Sequence, residues 1–205
     1  MPDISQMTLE QVEKTICACT LCPLHQGRTR AVPGEGPPNA EIMFIGEGPG
    51  FHEDRQGRPF VGAAGQFLEE LLAGIGMTRE QVYITNVVKC RPPGNRDPLP
   101  NELSACAPYL DRQIELIKPR VIVTLGRFSM VRYFPGASIT KIHGQPKRVG
   151  NMLVVPLFHP AAALHQPKWR PIVEADFQKL PGFIAEAASF RDEALPPQAQ
   201  QLSLF

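Results

Sequence analysis

The 205-residue sequence predicts an α/β fold, a three-layer α/β/α sandwich around a short, mainly parallel central sheet. Three observations carry that expectation. Four short apolar runs recur along the chain, and segments with helical spacing separate them. The unusual residues gather just beyond the runs, where parallel open sheets bind their ligands.

Residues 10–30 hold the first cysteines and read as a short helix running into a loop. The run Glu41–Gly46 ends at a glycine, as a buried strand feeding a turn does. Residues 65–75 carry apolar positions at helical spacing, and Val82–Val88 reads as a second strand. A Pro/Gly loop over 91–100 leads to a helix over 102–117. Arg120–Gly126 and Met152–Phe158 supply the third and fourth strands. From Arg191 the chain turns polar and proline-containing, so one domain over 1–190 and a disordered tail over 191–205 are expected.

Charge is nearly balanced, with 21 Lys+Arg against 20 Asp+Glu. That excludes a strongly basic coat, so phosphate binding has to come from a local patch. No apolar run reaches membrane-spanning length and the N-terminus lacks a basic-then-apolar leader, so a cytoplasmic protein is expected.

The five cysteines are Cys17, Cys19, Cys22, Cys90 and Cys106, an odd number that argues against a disulfide framework. Cys19 and Cys22 form a chelating Cys-x-x-Cys pair; with Cys90 and Cys106 they supply four thiolates from three segments, enough for an all-cysteine metal site. Zinc ribbons pair two such knuckles and this chain has one, which leans towards an iron–sulfur cluster. Cys17 is left over and reads as a spare buried thiol.

The first strand delivers Gly46-Glu47-Gly48-Pro49-Gly50, then Glu53-Asp54 and Gly57–Gly62. These lack both the dinucleotide fingerprint and the Lys-Ser/Thr ending of a phosphate loop. Carboxylates in a glycine loop suit stabilising positive charge or orienting water.

Together with the TN-V-VKCRPP-G-NR block (residues 85–96) and a late His159-Pro160-Ala161, these blocks resemble the family 4 uracil-DNA glycosylases of bacteria and archaea. The likeness runs in order from about Cys19 to Asp176. It implies a [4Fe–4S] cluster on Cys19, Cys22, Cys90 and Cys106, and hydrolysis of the uracil N-glycosidic bond in single- and double-stranded DNA without strand cleavage.

The resemblance implies roles that chemistry can rebuild. A base must be flipped out of the duplex to be cut, and Phe60 offers a stacking face for it. The Asn86 amide can donate to uracil O4 and accept from N3–H, a pattern that cytosine reverses. His159 would hydrogen-bond O2 of the departing anion. Glu47 and Gly48 stand where related families carry a Gln-Asp pair, so the Asp that positions water is missing. The Gly48 carbonyl, Glu47 or Glu53 is left to hold the water, and Glu53 is favoured for lining the pocket. Asp54 reads as helix-capping or structural.

Lys89, Arg91 and Arg96 flank Cys90 as candidate phosphate contacts, with Lys168 and Arg170 as additions. Leu164 corresponds to the residue that wedges into the duplex. A related subgroup bonds covalently to DNA through a histidine in the loop beyond the second strand; here that loop holds none, so turnover is expected.

Gln201, Leu202, Leu204 and Phe205 resemble the pentapeptide with which bacterial repair proteins dock on the sliding clamp. A monomer is expected. The rival reading is a catalytically inactive, cluster-containing nucleic-acid-binding protein, for which Gly48 is the best argument; a zinc-stabilised hydrolase of another substrate is weaker.

Overall fold

The computed structural model describes residues 3–192. Five strands form one sheet in the order β2-β1-β3-β5-β4. They are β1 (Ile42–Gly46), β2 (Tyr83–Asn86), β3 (Val121–Leu125), β4 (Lys147–Val149) and β5 (Met152–Leu157). β1 lies parallel to β2 and β3, β3 parallel to β5, and β4 runs antiparallel on the edge.

Period-two alternation sorts each strand between two apolar layers. Ile42, Phe44, Ile84, Val123 and Val155 face one core, which is filled by α4 (Ala63–Ala73), α9 (Arg170–Phe177) and α10 (Leu180–Ala188). Met43, Ile45, Tyr83, Ile122 and Val154 face the other, against Leu110 and Ile117 of α5 (Pro100–Ile117). A third cluster joins α1 (Leu9–Ala18) to α5 around the cysteines. Short helices complete the chain: α2 (Leu24–Gly27), α3 (Phe51–Gln56), α6 (Arg127–Met130), α7 (Ile139–Ile142) and α8 (Pro160–His165).

All four strands expected from sequence are present, so the α/β sandwich stands. The stretch read as a glycine loop contains α3. β4 was not expected: it is three residues long and its first two, Lys147 and Arg148, are exposed. Cations on a short edge strand discourage pairing with another sheet. Among the described residues no helix is long and apolar enough to cross a membrane. The tail over 193–205, with Gln201, Leu202, Leu204 and Phe205, lies outside the described residues.

Candidate active site

β1, β2, β3 and β5 point their carboxyl ends the same way, and the loops leaving them build one site. Asn86 closes β2 opposite Gly46, is 2% exposed, and its buried Oδ1 has no hydrogen-bond partner among the described residues. Such an orphan is rare, because leaving a buried acceptor unpaired costs about 1–3 kcal/mol. Gly46 makes the approach possible. A Cβ there would come within 2.4 Å of Asn86 Oδ1 and 2.8 Å of the Phe60 ring.

Phe60 is buried, and its ring stacks on His159 with centroids 5.4 Å apart and planes at 26°. Its backbone takes the left-handed region at φ 52°, which a β-carbon resists. Arg79 holds it there, with Nη1 donating to Phe60 O at 2.9 Å and Nη2 donating to Pro59 O. The same guanidinium is paired with Glu35 and Glu69. No sequence signal marked Arg79, since its partners are carbonyls nineteen and twenty residues away. Replacing Arg79 by methionine should cost about 3 kcal/mol, because it strips donors from two buried carbonyls. A thermal melt should drop by roughly 10 °C. An unchanged melting temperature would show that the loop holds itself.

His159 caps α8, and its Nδ1 accepts from Ala161 N at 3.2 Å. That bond leaves the ring proton on Nε2. Burial pushes its pKa down to about 4, against a small opposing pull from Glu53. His159 is therefore a neutral donor across the ordinary pH range.

The two acidic candidates part company. Glu53 accepts from Gly50 N through Oε2 at 3.1 Å, and from Val61 N and Gly62 N through Oε1, each at 2.9 Å. Its lone pairs brace the loop carrying Phe60, a role the sequence did not announce for the carboxylate favoured as lining the pocket. Asp54 is structural, accepting from Thr29 N through both oxygens. The carboxylate of Glu47, half-buried beyond β1, accepts no hydrogen bond among the described residues. Burial first, and then the neighbouring Asp97, raise its pKa; Arg127 opposes them. Gly48 has no room for the missing aspartate, since a Cβ would come within 2.7 Å of Val88 Cγ2.

Lys89 is corrected outright. It is 1% exposed, and Nζ donates to Thr85 Oγ1 at 2.6 Å, Gln113 Oε1 at 2.6 Å and Asn86 O at 2.9 Å. Burial lowers its pKa to about 7. It braces the strand end that carries Asn86 and reaches no phosphate. Arg96 and Arg170 are likewise committed, to Glu102 and to Glu70 with Glu174. Arg91 stays at the rim, with Nε donating to Asn95 Oδ1 at 2.7 Å. Leu164 on α8 is 44% exposed, as a wedge requires.

Cys19, Cys22, Cys90 and Cys106 line one pocket with Ile16, Leu21 and Tyr109. Arg28 Nη1 donates to Cys90 Sγ at 3.0 Å, and Lys89 N to Cys106 Sγ at 3.3 Å. Burial raises the pKa of Cys22 and Cys90 and pushes that of Cys106 up to about 12. Such thiols ionise only when a bound cation compensates. Among the described residues no three metal-binding side chains form a group able to hold an ion. The four thiols instead surround the pocket, which fits a polynuclear cluster with sulfur-directed N–H donors. Cys17 is exposed, correcting the spare buried thiol.

A profile of the Uracil DNA glycosylase superfamily matches residues 33–180. The chain is 52% identical to the type-4 uracil-DNA glycosylase of Sulfurisphaera tokodaii, over 84% of this chain and 83% of the relative. It is 49% identical to the type-4 enzyme of Thermotoga maritima, over 86% and 94%. To that of Archaeoglobus fulgidus it is 47% identical, over 84% and 92%. With the unpaired Asn86 amide, the Phe60 ring and the neutral His159 gathered at the strand ends, the chain belongs to the type-4 uracil-DNA glycosylases of the uracil-DNA glycosylase superfamily.

Proposed function

We propose that the protein is a monofunctional uracil-DNA glycosylase that takes uracil flipped from DNA and hydrolyses its N-glycosidic bond. The orphaned Oδ1 of Asn86, beside the Phe60 ring, carries the reading. Uracil N3–H would donate to Oδ1, and Nδ2 to uracil O4. As the C1′–N1 bond breaks, the electron pair leaves with uracil, and His159 Nε2–H donates to O2 of the anion. Water adds to C1′ and passes a proton to the Glu47 carboxylate, which gives it up to solvent as the uracil anion takes one from solvent. Glu47, the carboxylate without a protein donor, orients that water and faces the positive sugar.

Incubation with uracil-containing and matched thymine-containing oligonucleotides, followed by alkaline cleavage, tests the reading. Uracil-dependent cleavage is expected; cleavage of neither strand by well-folded protein would favour the inactive binding module. No DNA-linked band should survive denaturing electrophoresis.

Glu47→Gln makes a separate test. A carboxyl whose folded pKa exceeds its unfolded value favours the fold below the unfolded value and loses that advantage as pH rises. The variant should therefore melt slightly above wild type near pH 7 while losing most of its turnover. The acid limb of the wild-type rate, lying above the ordinary carboxyl value of 4.5, should vanish with it.

The four cysteines would hold a [4Fe–4S] cluster that cross-links α1, the β2 exit and α5 and takes no part in the chemistry. Iron and acid-labile sulfide in equal amounts would support it; zinc without sulfide would overturn it. Single- and double-stranded DNA are the substrates, the chain acts as a monomer in the cytoplasm near the nucleoid, and the 201–205 tail tethers it to the sliding clamp. Deleting the tail should abolish clamp binding and spare activity on short oligonucleotides.

A further inference from the structure

Helix α3 leaves the Gly46–Gly50 turn and sorts its charges by face. Glu53 and Asp54 spend their oxygens on backbone amides, while Phe51, His52 and Arg55 are exposed. Phe51 is 46% exposed. The Arg55 guanidinium lies 5.3 Å from its centroid and that of Arg91, from the β2 exit, 5.2 Å. The His52 ring meets Phe51 edge-on at 5.4 Å.

Among the described residues neither Arg55 nor Arg91 is paired with a carboxylate. By contrast, Arg58, Arg96, Arg127 and Arg170 each are. Two cations without counter-ions, stacked on a shared ring and steadied on one side by Asn95, form an anion seat at the mouth of the site.

We propose that Phe51 organises Arg55 and Arg91 into a seat for the sugar–phosphate backbone of the uracil-bearing strand. The seat stands on the β1/β2 side of the pocket, and Leu164 on the β5 side. The inference rests on the glycosylase reading and adds Phe51 and Arg55 to the DNA-binding surface. The ring's part is geometric: it keeps two guanidinium forks in place, so their N–H edges meet phosphates without first being ordered.

The test measures kcat and KM on single-stranded and duplex uracil oligonucleotides across a range of NaCl. Wild type is compared with Arg55→Gln, Phe51→Ala and Phe51→Trp. Arg55→Gln should raise KM about threefold and flatten the dependence of log(kcat/KM) on log[NaCl] by roughly 0.7–0.9, leaving kcat unchanged. Phe51→Ala removes no charge, yet should raise KM by about two- to fivefold, and Phe51→Trp should restore it. Wild-type KM and salt slope in both Phe51→Ala and Arg55→Gln would overturn the seat, as would an effect of Arg55→Gln alone. Should wild type release no uracil, the glycosylase reading falls, and fluorescence anisotropy on the same oligonucleotides still decides. Weaker binding by both variants supports the seat, and equal affinities overturn it.

Discussion

Replacing Asn86 by alanine is expected to lower kcat/KM on uracil-containing DNA by about 10⁴-fold, because a site built to hydrogen-bond its ligand loses that much when the partner is removed. The fold should survive. Oδ1 has no partner to lose, and an unpaired buried acceptor costs about 1–3 kcal/mol that alanine relieves. The melting temperature should stay within a few degrees of wild type, the lost packing against Gly46 and Phe60 offsetting part of the relief. Single-turnover cleavage and a thermal melt on the same preparation separate the two effects. A large drop in melting temperature would make Asn86 a structural residue.

His159→Ala should lower kcat by about 10²–10³-fold, the usual cost of removing one donor from a developing anion. The pH profile sharpens the prediction. An exposed imidazole titrates near 6.5, whereas burial holds His159 near 4, so wild type should show no limb at 6.5. A limb there that disappears in the variant would show His159 acting as a cation. Stability follows the same linkage. The unfolded chain takes up a proton that the folded chain refuses, so wild-type stability should fall as pH drops from 6.5 towards 4. The variant's curve should be flatter over that window.

Much of this was legible in the sequence because burial leaves continuous marks. β1, β3 and β5 are near-continuous apolar runs, interrupted in β3 by Thr124, and a parallel sheet covered on both faces demands such runs. β4 left no mark because an exposed edge of three residues needs no apolar pattern. In the site, Gly46 and Asn86 close β1 and β2 and His159 lies just past β5, so strand ends pointed to them, whereas Phe60 lies beyond α3 and was placed by the family resemblance. Lys89 misled because a cation beside a cysteine looks solvated; only the fold reveals Thr85, Asn86 and Gln113 gathered around it. The bracing role of Glu53 left no mark, since the backbone amides that bond its carboxylate carry no side-chain label. Cys17 shares a helix with buried Ile16 yet falls on its outer side, a difference of one residue in rotation.

The pocket of thiols also dictates an order of manufacture. Its walls come from residues 19–22, from Cys90 and from Cys106, so nothing can be gripped by all four until α5 has left the ribosome. Until then Cys19 and Cys22 travel as an open pair on a growing chain, available to any oxidant or stray ion. Closing a loop of such length removes more freedom from the unfolded chain than a short clip would. Where the proposed cluster closes, the spacing that would strengthen the finished knot would also expose the nascent polypeptide, and slow translation between residues 22 and 106 should lower the yield of sound protein.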